Sequence, residues 1–477
     1  MWESYESQIS RKPITQPRII IHGGAGNIRP ETMPPERYQL FRASLLTIIS
    51  KSHRFLLNPL PDGSLPTALD SATYAVTLLE DDPLYNAGRG AVFTRDGINE
   101  LEASIMITNP TRWPKRGVGV SGLRRVKNPI KLAAELLKRG GQDLVGKGVA
   151  VEDVEGAEGR LNVPSAQGHT HLHGAAAEQL AEAYGLELVD PSYFWTKDRW
   201  EQHRRGLERE KAMAELTCSG LHGCGTPAGT ASWSSDEFIP QGTVGAVVVD
   251  AYGTVCVATS TGGLTNKLTG RIGDTPTVGA GFWAEEWLEE LEGQKAGSSS
   301  CPAVVLSGAL KGLVADCLST PRMYQLGSSS PKRVVTKRAI AVSGTGNGDS
   351  FLRTTAARTV GAIAQFGKES GAVALTKVTG PGGELQRSAG DRWGKTGEGE
   401  GGMIGIECIV VYDGDGNAVE SRSEILQDFN CGGMLRAWVD EQGVAFMRVF
   451  RKDPALAAKY VGEGIPEDPQ NWCGEKL

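Results

Sequence analysis

The sequence lacks several things at once, and each absence excludes a class of protein. No stretch of its 477 residues approaches 18 consecutive apolar positions, so a transmembrane helix is not expected. The opening segment MWESYESQISRKPITQP has no apolar run fit to be a signal-peptide core. Positive charge is not in excess. Lys and Arg number 50 against 56 Asp and Glu, a formal net charge of -6, which disfavours nucleic acid or an anionic membrane as partner. There is no N-x-S/T sequon, since Asn109 is followed by Pro110. Eight cysteines are scattered along the chain, and the nearest pair, Cys218 and Cys224, fits no zinc spacing. Reduced thiols in a cytoplasmic protein are the expectation, with no membrane and no nucleic acid among its partners.

What remains is globular: 40% apolar and 22% charged residues, enough for a sizeable core. Glycine is the outlier, with 62 residues, well above the usual share of about 7%. The length allows two to three domains or one large unit.

Arg18 to His22 (RIIIH) reads as a short buried strand cut off by Gly23-Gly24. Leu40, Phe41, Leu45, Ile48 and Ile49 lie at helical spacing within Glu36 to Ser52. Thr67 is placed to cap a second helix, and Asn128 to Gly140 is a third. Asp96-Gly97, flanked by Val92 to Thr94 and Ile98 to Ile105, signals a hairpin. From Thr196 to Gln241 charges and then Gly, Ser, Thr and Pro dominate, which reads as a long exposed linker. Val244 to Asp250 and Thr254 to Ser260 form paired strands around the turn at 251–253. Gly293 to Lys337 looks like an insertion. Arg338 to Val342 is a strand, Phe351 to Phe366 a helix, and Ile404 to Tyr412 opens a late hairpin. The hairpins imply antiparallel pairing and disfavour a doubly wound parallel sheet.

Several patterns invite a function they do not support. Gly117 to Gly122 fits G-x-G-x-x-G but neither follows a strand nor opens a helix. Gly141 to Lys147 resembles a phosphate loop, yet Gly148 stands where Ser or Thr would hold magnesium. His169, His171 and His173 alternate, but nothing nearby clearly completes a zinc site, so no metal is expected there. Glu100 and Glu102 alternate with Leu101 and Ala103, which reads as the solvated face of a half-buried strand.

Four Gly/Thr-rich segments each end a predicted strand. They are His22 to Gly26 (HGGAG), Tyr85 to Gly97, Gly242 to Pro276 and Ser343 to Phe351. No G-x-S-x-G elbow exists, and no cysteine has convincing partners. A hydrolase built on these segments would use threonine. A threonine hydroxyl becomes an effective nucleophile when the residue is N-terminal, because its own α-amine takes the proton. An internal threonine reaches that state only by chain cleavage. Gly242-Thr243, with a linker before it and a strand after it, meets the requirement; a threonine that merely begins a strand fits the pattern as well.

The motifs IIIHGGAG, PLYNAGRGAVFTRDG, GLRRVKNPIKLA, GTVGAVVVD, ATSTGG, GRIGD and GTGNGD resemble, in order, those of the plant-type L-asparaginase/isoaspartyl peptidase family. These are threonine N-terminal-nucleophile hydrolases. The resemblance runs from about 18 to 280, resumes near 338 and continues through 404–412. It implies an α+β fold, a four-layer αββα sandwich, cut after Gly242 into segments 1–242 and 243–477 of a single unit. Thr243 resembles the nucleophile. Thr261 resembles the threonine that orients it. Thr345 and Gly346 resemble the oxyanion hole, and Asn86 an active-site asparagine. Arg271 and Asp274 resemble the holders of a substrate's α-carboxylate and α-ammonium. The resemblance further implies a structural sodium ion on the backbone carbonyls of 79–89, no required cofactor, and a dimer of αβ heterodimers. The substrate would be L-asparagine or a β-aspartyl dipeptide. A threonine-aspartase-type endopeptidase and a non-cleaving, catalytically silent scaffold are the alternatives. The 293–337 insertion, roughly forty residues, is unusually long for a loop and separates two parts of the site.

Overall fold

The structure, a computed structural model, describes residues 13–109, 116–144, 166–218, 242–290, 334–451 and 453–463. In chain order the strands are β1 (Arg18–Gly26), β2 (Leu101–Ile107), β3 (Gly117–Leu123), β4 (His171–His173), β5 (Val244–Val249) and β6 (Val255–Thr261). They continue as β7 (Phe282–Glu290), β8 (Val335–Gly346), β9 (Gly401–Tyr412), β10 (Ala418–Phe429), β11 (Gly433–Val439) and β12 (Ala445–Arg448). One sheet has eight strands in the order β12-β11-β1-β5-β6-β2-β3-β4, and the other four in the order β10-β9-β8-β7. Neighbours run antiparallel except β3 and β4. Strands from before and after residue 242 are therefore interleaved in one sheet.

The helices are α1 (Pro35–Leu57), α2 (Ala68–Asp81), α3 (Pro129–Leu144), α4 (Gly174–Ala183), α5 (Lys197–Cys218), α6 (Gly348–Thr354), α7 (Ala356–Phe366), α8 (Gly371–Thr379), α9 (Glu384–Ala389) and α10 (Pro454–Ala457). The continuous apolar runs of β1 and β5 follow from burial on both faces. Ile19, Ile21 and Val248 pack with Phe41, Leu45, Leu69, Val76 and Leu132 of the first three helices. Ile20, Val247 and Val257 point the other way, onto Ala339, Ala341, Ile404 and Ile406 of the smaller sheet. On that sheet's far face Ile340, Val342 and Met403 meet Phe351, Val360 and Leu375. The period of two along each strand thus serves two cores. The molecule is a mixed α+β fold.

Local signals act as expected at several points. The Thr67 hydroxyl caps α2, accepting from Asp70 N–H at 3.1 Å. The 401–412 strand turns at 413–416 into β10. Five expectations need correction. The segment from Thr196 is not a linker at first: Lys197–Cys218 is a helix, held by Trp200 edge-on to Phe93 and by buried Arg199. Residues 219–241 lie outside the described ones. The Asp96-Gly97 turn closes through Thr94 N–H to Ile98 C=O at 2.8 Å, but β2 pairs with β3 and β6 rather than with 92–94. The 351–366 helix is broken at Thr355, which takes a left-handed φ of 43°. β8 begins at Val335, so the end of the 293–337 insertion is strand; 291–333 lie outside the described residues. Glu100 and Glu102 are not solvated: they are 3% and 1% exposed, because the Gly262 to Asp274 segment folds over that face of β2.

Among the described residues no helix is long and apolar enough to cross a membrane. Cys256, Cys408 and Cys431 are free thiols.

Candidate active site

Thr243 stands immediately before β5 and is 5% exposed. Gly242 packs against the end of β1 so closely that a Cβ on it would sit 2.1 Å from Gly24 Cα and 2.6 Å from Ala25 N. No residue but glycine fits there. The Ala25 N–H in turn donates to Thr345 Oγ1 at 3.2 Å, at the buried end of β8. Two residues of β1 therefore join the Gly242-Thr243 bond to Thr345. Because the Thr345 hydroxyl accepts from Ala25, its own proton is left to donate elsewhere. Gly346 follows it at the strand end, paired with Gly401.

β5 pairs Val244 with Ser260 of β6, so Thr243 and Thr261 come next along the ladder. β6 then pairs Thr261 with Glu102 of β2. The Thr261 hydroxyl accepts from Gly263 N–H at 3.0 Å, within its own turn. The hydroxyl that meets Thr243 is that of Thr275, at 3.0 Å. Thr275 was not legible as a site residue, although it directly follows Asp274 in the GRIGD motif. Its carbonyl is fixed by Ser104 Oγ at 2.6 Å. Asn86 donates Nδ2–H to Gly263 C=O at 2.7 Å and accepts at Oδ1 from Val92 N–H at 3.0 Å. Its own carbonyl accepts from Gly262 N–H. With both amide ends engaged, Asn86 holds the turn that follows Thr261.

Arg271 and Asp274 converge on the start of α6. A Cβ on Gly348 would lie 2.5 Å from Asp274 Oδ1 and 3.2 Å from Arg271 Nη2. Arg271 Nη2 donates to Asp349 at 2.9 Å. Asp274 Oδ2 is buried without a hydrogen-bond partner. Burial pushes the Asp274 carboxyl up to about 7, with Arg271 pulling against it. A buried acceptor on a carboxyl poised near neutrality suits an incoming ammonium, and the planar fork of Arg271 suits a carboxylate.

Behind Thr243, His22 Nε2 lies 2.7 Å from Ser343 Oγ. Burial takes its pKa down to about 3, against a hydrogen bond to the Thr243 backbone, so the ring is neutral at physiological pH. In the 79–89 loop the carbonyl oxygens of Glu80 and Tyr85 crowd Gly88 and Gly90, at 2.4 and 2.1 Å from added Cβ atoms. Buried Arg199 also draws on this loop, donating to Gly90 and Leu84 carbonyls at 2.7 and 3.3 Å. Elsewhere, His171 and His173 both meet the buried Ser121 hydroxyl, at 2.8 and 3.0 Å. The G-x-G-x-x-G stretch is strand β3.

The sequence profile of the asparaginase family matches residues 15–152 and 160–288. The isoaspartyl peptidase of Salmonella typhimurium is 31% identical over 422 residues, covering 88% of this chain and 94% of its own. That of Escherichia coli is 32% identical over 422 residues, 88% and 92% of the two chains. The plant-type L-asparaginase of Pyrococcus furiosus is 32% identical over 275 residues, 56% and 70% of the two chains. These matches define a hydrolase acting on carbon–nitrogen bonds. The chain belongs to the asparaginase family, with relatives named isoaspartyl peptidase and L-asparaginase.

Proposed function

We propose that the chain is an autocleaving threonine amidohydrolase that hydrolyses the β-amide of L-asparagine or of β-aspartyl peptides. The observation that carries this reading is the contact chain from Gly242 through Gly24 and Ala25 to Thr345. The closeness of Gly242, Gly24, Ala25 and Thr345, with Thr243 next in the chain, supports the reading. The names of the relatives supply the substrate class.

In maturation the Thr243 Oγ attacks the Gly242 carbonyl carbon, the peptide C–N bond breaks, and Gly242 is left as an ester. Water hydrolyses the ester, releasing the Gly242 carboxylate and restoring the Thr243 hydroxyl beside the α-amine that the C–N cleavage freed. That amine, with a reference pKa of about 7.7–8.0, then takes the hydroxyl proton as Oγ attacks a substrate β-carbonyl. The Thr345 hydroxyl and the Gly346 N–H would stabilise the tetrahedral oxyanion. The proton passes to the departing amine, and water resolves the β-aspartyl ester to aspartate. Thr261 and Thr275 orient the nucleophile, Asn86 holds the turn after Thr261, and Arg271 and Asp274 hold the α-groups. A structural sodium ion would be held by the 79–89 carbonyls. We read the succession of helices, sheet, sheet and helices as the four-layer αββα sandwich of N-terminal-nucleophile hydrolases. A cytoplasmic dimer of αβ heterodimers completes the proposal.

Intact mass and N-terminal sequencing of purified protein test it. Wild-type protein should yield two fragments, the second beginning at Thr243, and Thr243→Ala should yield one chain without activity. An active wild type cut elsewhere, or not at all, sinks the assignment. Cleavage of only a blocked peptide at an internal Asp would instead favour a threonine aspartase. A wild type that neither cleaves itself nor hydrolyses any of these substrates would be a scaffold.

A further inference from the structure

The two carboxylates that the strand pattern would send to solvent are instead buried against the substrate-clamp segment. Glu100 accepts at Oε2 from Gly270 N–H at 2.7 Å, and Glu102 accepts at Oε1 from Gly273 N–H at 3.2 Å. These amides bracket Arg271 and precede Asp274. Lys267 lies between the carboxylates. Its Nζ donates to Glu100 C=O at 3.1 Å and stands 3.6 Å from Glu102 Oε1, with both side chains 1% exposed. The same ammonium abuts Gly263, where a Cβ would lie 2.7 Å from Nζ. Gly263 takes φ 82°, so the turn after Thr261 is seated on Lys267. Arg124 pairs with Glu100 at 2.7 Å, so two cations balance two carboxylates.

Burial of this kind is costly unless every charge is paired, and breaking one pair strands its partner. Such a group is a poor device for stability alone, but it fixes backbone amides firmly. We propose that Glu100, Glu102 and Lys267 are positioning residues that set the 270–274 segment so that Arg271 and Asp274 grip the substrate's α-carboxylate and α-ammonium. This rests on the functional reading above. The three residues touch no reacting atom in that reading; they act through the backbone they hold. Burial lowers the Lys267 pKa while Glu102 opposes it, and burial of Glu100 is outweighed by Arg124, Gly270 N–H and Lys267.

The test is steady-state kinetics on the full chain with a β-aspartyl dipeptide, and inhibition by L-aspartate, which carries the same α-groups. The variants are Glu100→Gln and the double variant Lys267→Met/Glu102→Gln, which removes both buried charges together and strands neither. Folded, self-cleaved variants should show KM raised about tenfold or more, with kcat within about threefold of wild type. The L-aspartate inhibition constant should rise by the same factor. Wild-type KM and inhibition in both variants overturn the proposal, as does a fall in kcat with KM unchanged. If the double variant does not fold, Glu100→Gln decides alone. Wild-type protein run alongside separates the two readings. No hydrolysis by wild type sinks the functional reading, whereas wild-type hydrolysis with unaltered variants sinks only the cradle.

Discussion

At the scale of single residues, the candidate site leaves selected protons and lone pairs uncommitted. Thr345 accepts from Ala25 N–H, which leaves its own proton to donate; in the proposed mechanism it goes to the oxyanion. Thr345→Ala should therefore lower kcat about 10²–10³-fold in processed enzyme, and near-normal kcat would contradict the hole. Asp274 keeps Oδ2 free, and its ionised form is the one that accepts an ammonium. With its carboxyl pushed up to about 7 by burial, the group is about half protonated at neutrality and gains the rest of its proton as pH falls further. Affinity for L-aspartate should weaken as pH falls through about 7, and Asp274→Asn should bind weakly without that dependence. A flat profile in wild type from pH 6 to 8, measured as an inhibition constant, would remove Asp274 from the clamp. Thr243, Thr345 and Asp274 were singled out because their Gly/Thr-rich segments resemble the motifs of the asparaginase family; the residue pattern alone left Thr243 open and gave the other two no role. Thr275 and Lys267 were not singled out: a threonine before proline and a lysine in a polar stretch look like surface. Glu102 was misread because strand alternation says which residues share a face, not what covers that face.

Elements repeat the lesson at larger scale. β1 and β5 announced themselves as apolar runs because both faces are buried. α5 was hidden because its contacts come from Arg199, Trp200 and His203, polar or mixed side chains in a charged stretch. The end of α2 carries a different surprise. Glu80 is wholly buried, its Oε1 accepting from Ser260 Oγ at 2.7 Å on β6 and from Ile130 N–H at 3.0 Å on α3. Burial pushes its pKa from 4.5 up to about 8, against the Ser260 hydrogen bond. Between those values the folded chain holds a proton that the unfolded chain has lost, so stability falls as pH rises across that window. Glu80→Gln keeps the acceptor and removes the titration. Thermal unfolding of wild type should therefore drop between pH 5.5 and 8 by more than that of Glu80→Gln; equal drops would mean that Glu80 does not stay protonated.

Over the whole molecule, the sheet order decides what chain cleavage can do. β1, from the segment before Gly242, is flanked by β5 on one side and β11 on the other, both from the segment after it. Arg18 to His22 pair with 245–249, and Ile20 to Gly26 pair with 433–438. The far end of the chain closes back onto α1: Tyr460 donates to Met33 C=O at 2.8 Å, and Tyr38 donates to Glu463 at 3.2 Å. Separating the two segments would bare both edges of β1, the β2–β6 seam and the core between the sheets, leaving unpaired strand edges and apolar surface together. Cutting one peptide bond removes none of those contacts. The cleaved protein should therefore run as one species in native size exclusion while giving two bands in denaturant. It should also unfold in a single transition, because the eight-stranded sheet is divided between the fragments and the four-stranded sheet, wholly within the second, packs its inner face on it. Native separation of the fragments, or two independent transitions each assigned to one fragment, would show that the segments fold apart. That result would be incompatible with an active site built from Ala25 and Asn86 on one side of the cut and Thr243 and Thr345 on the other.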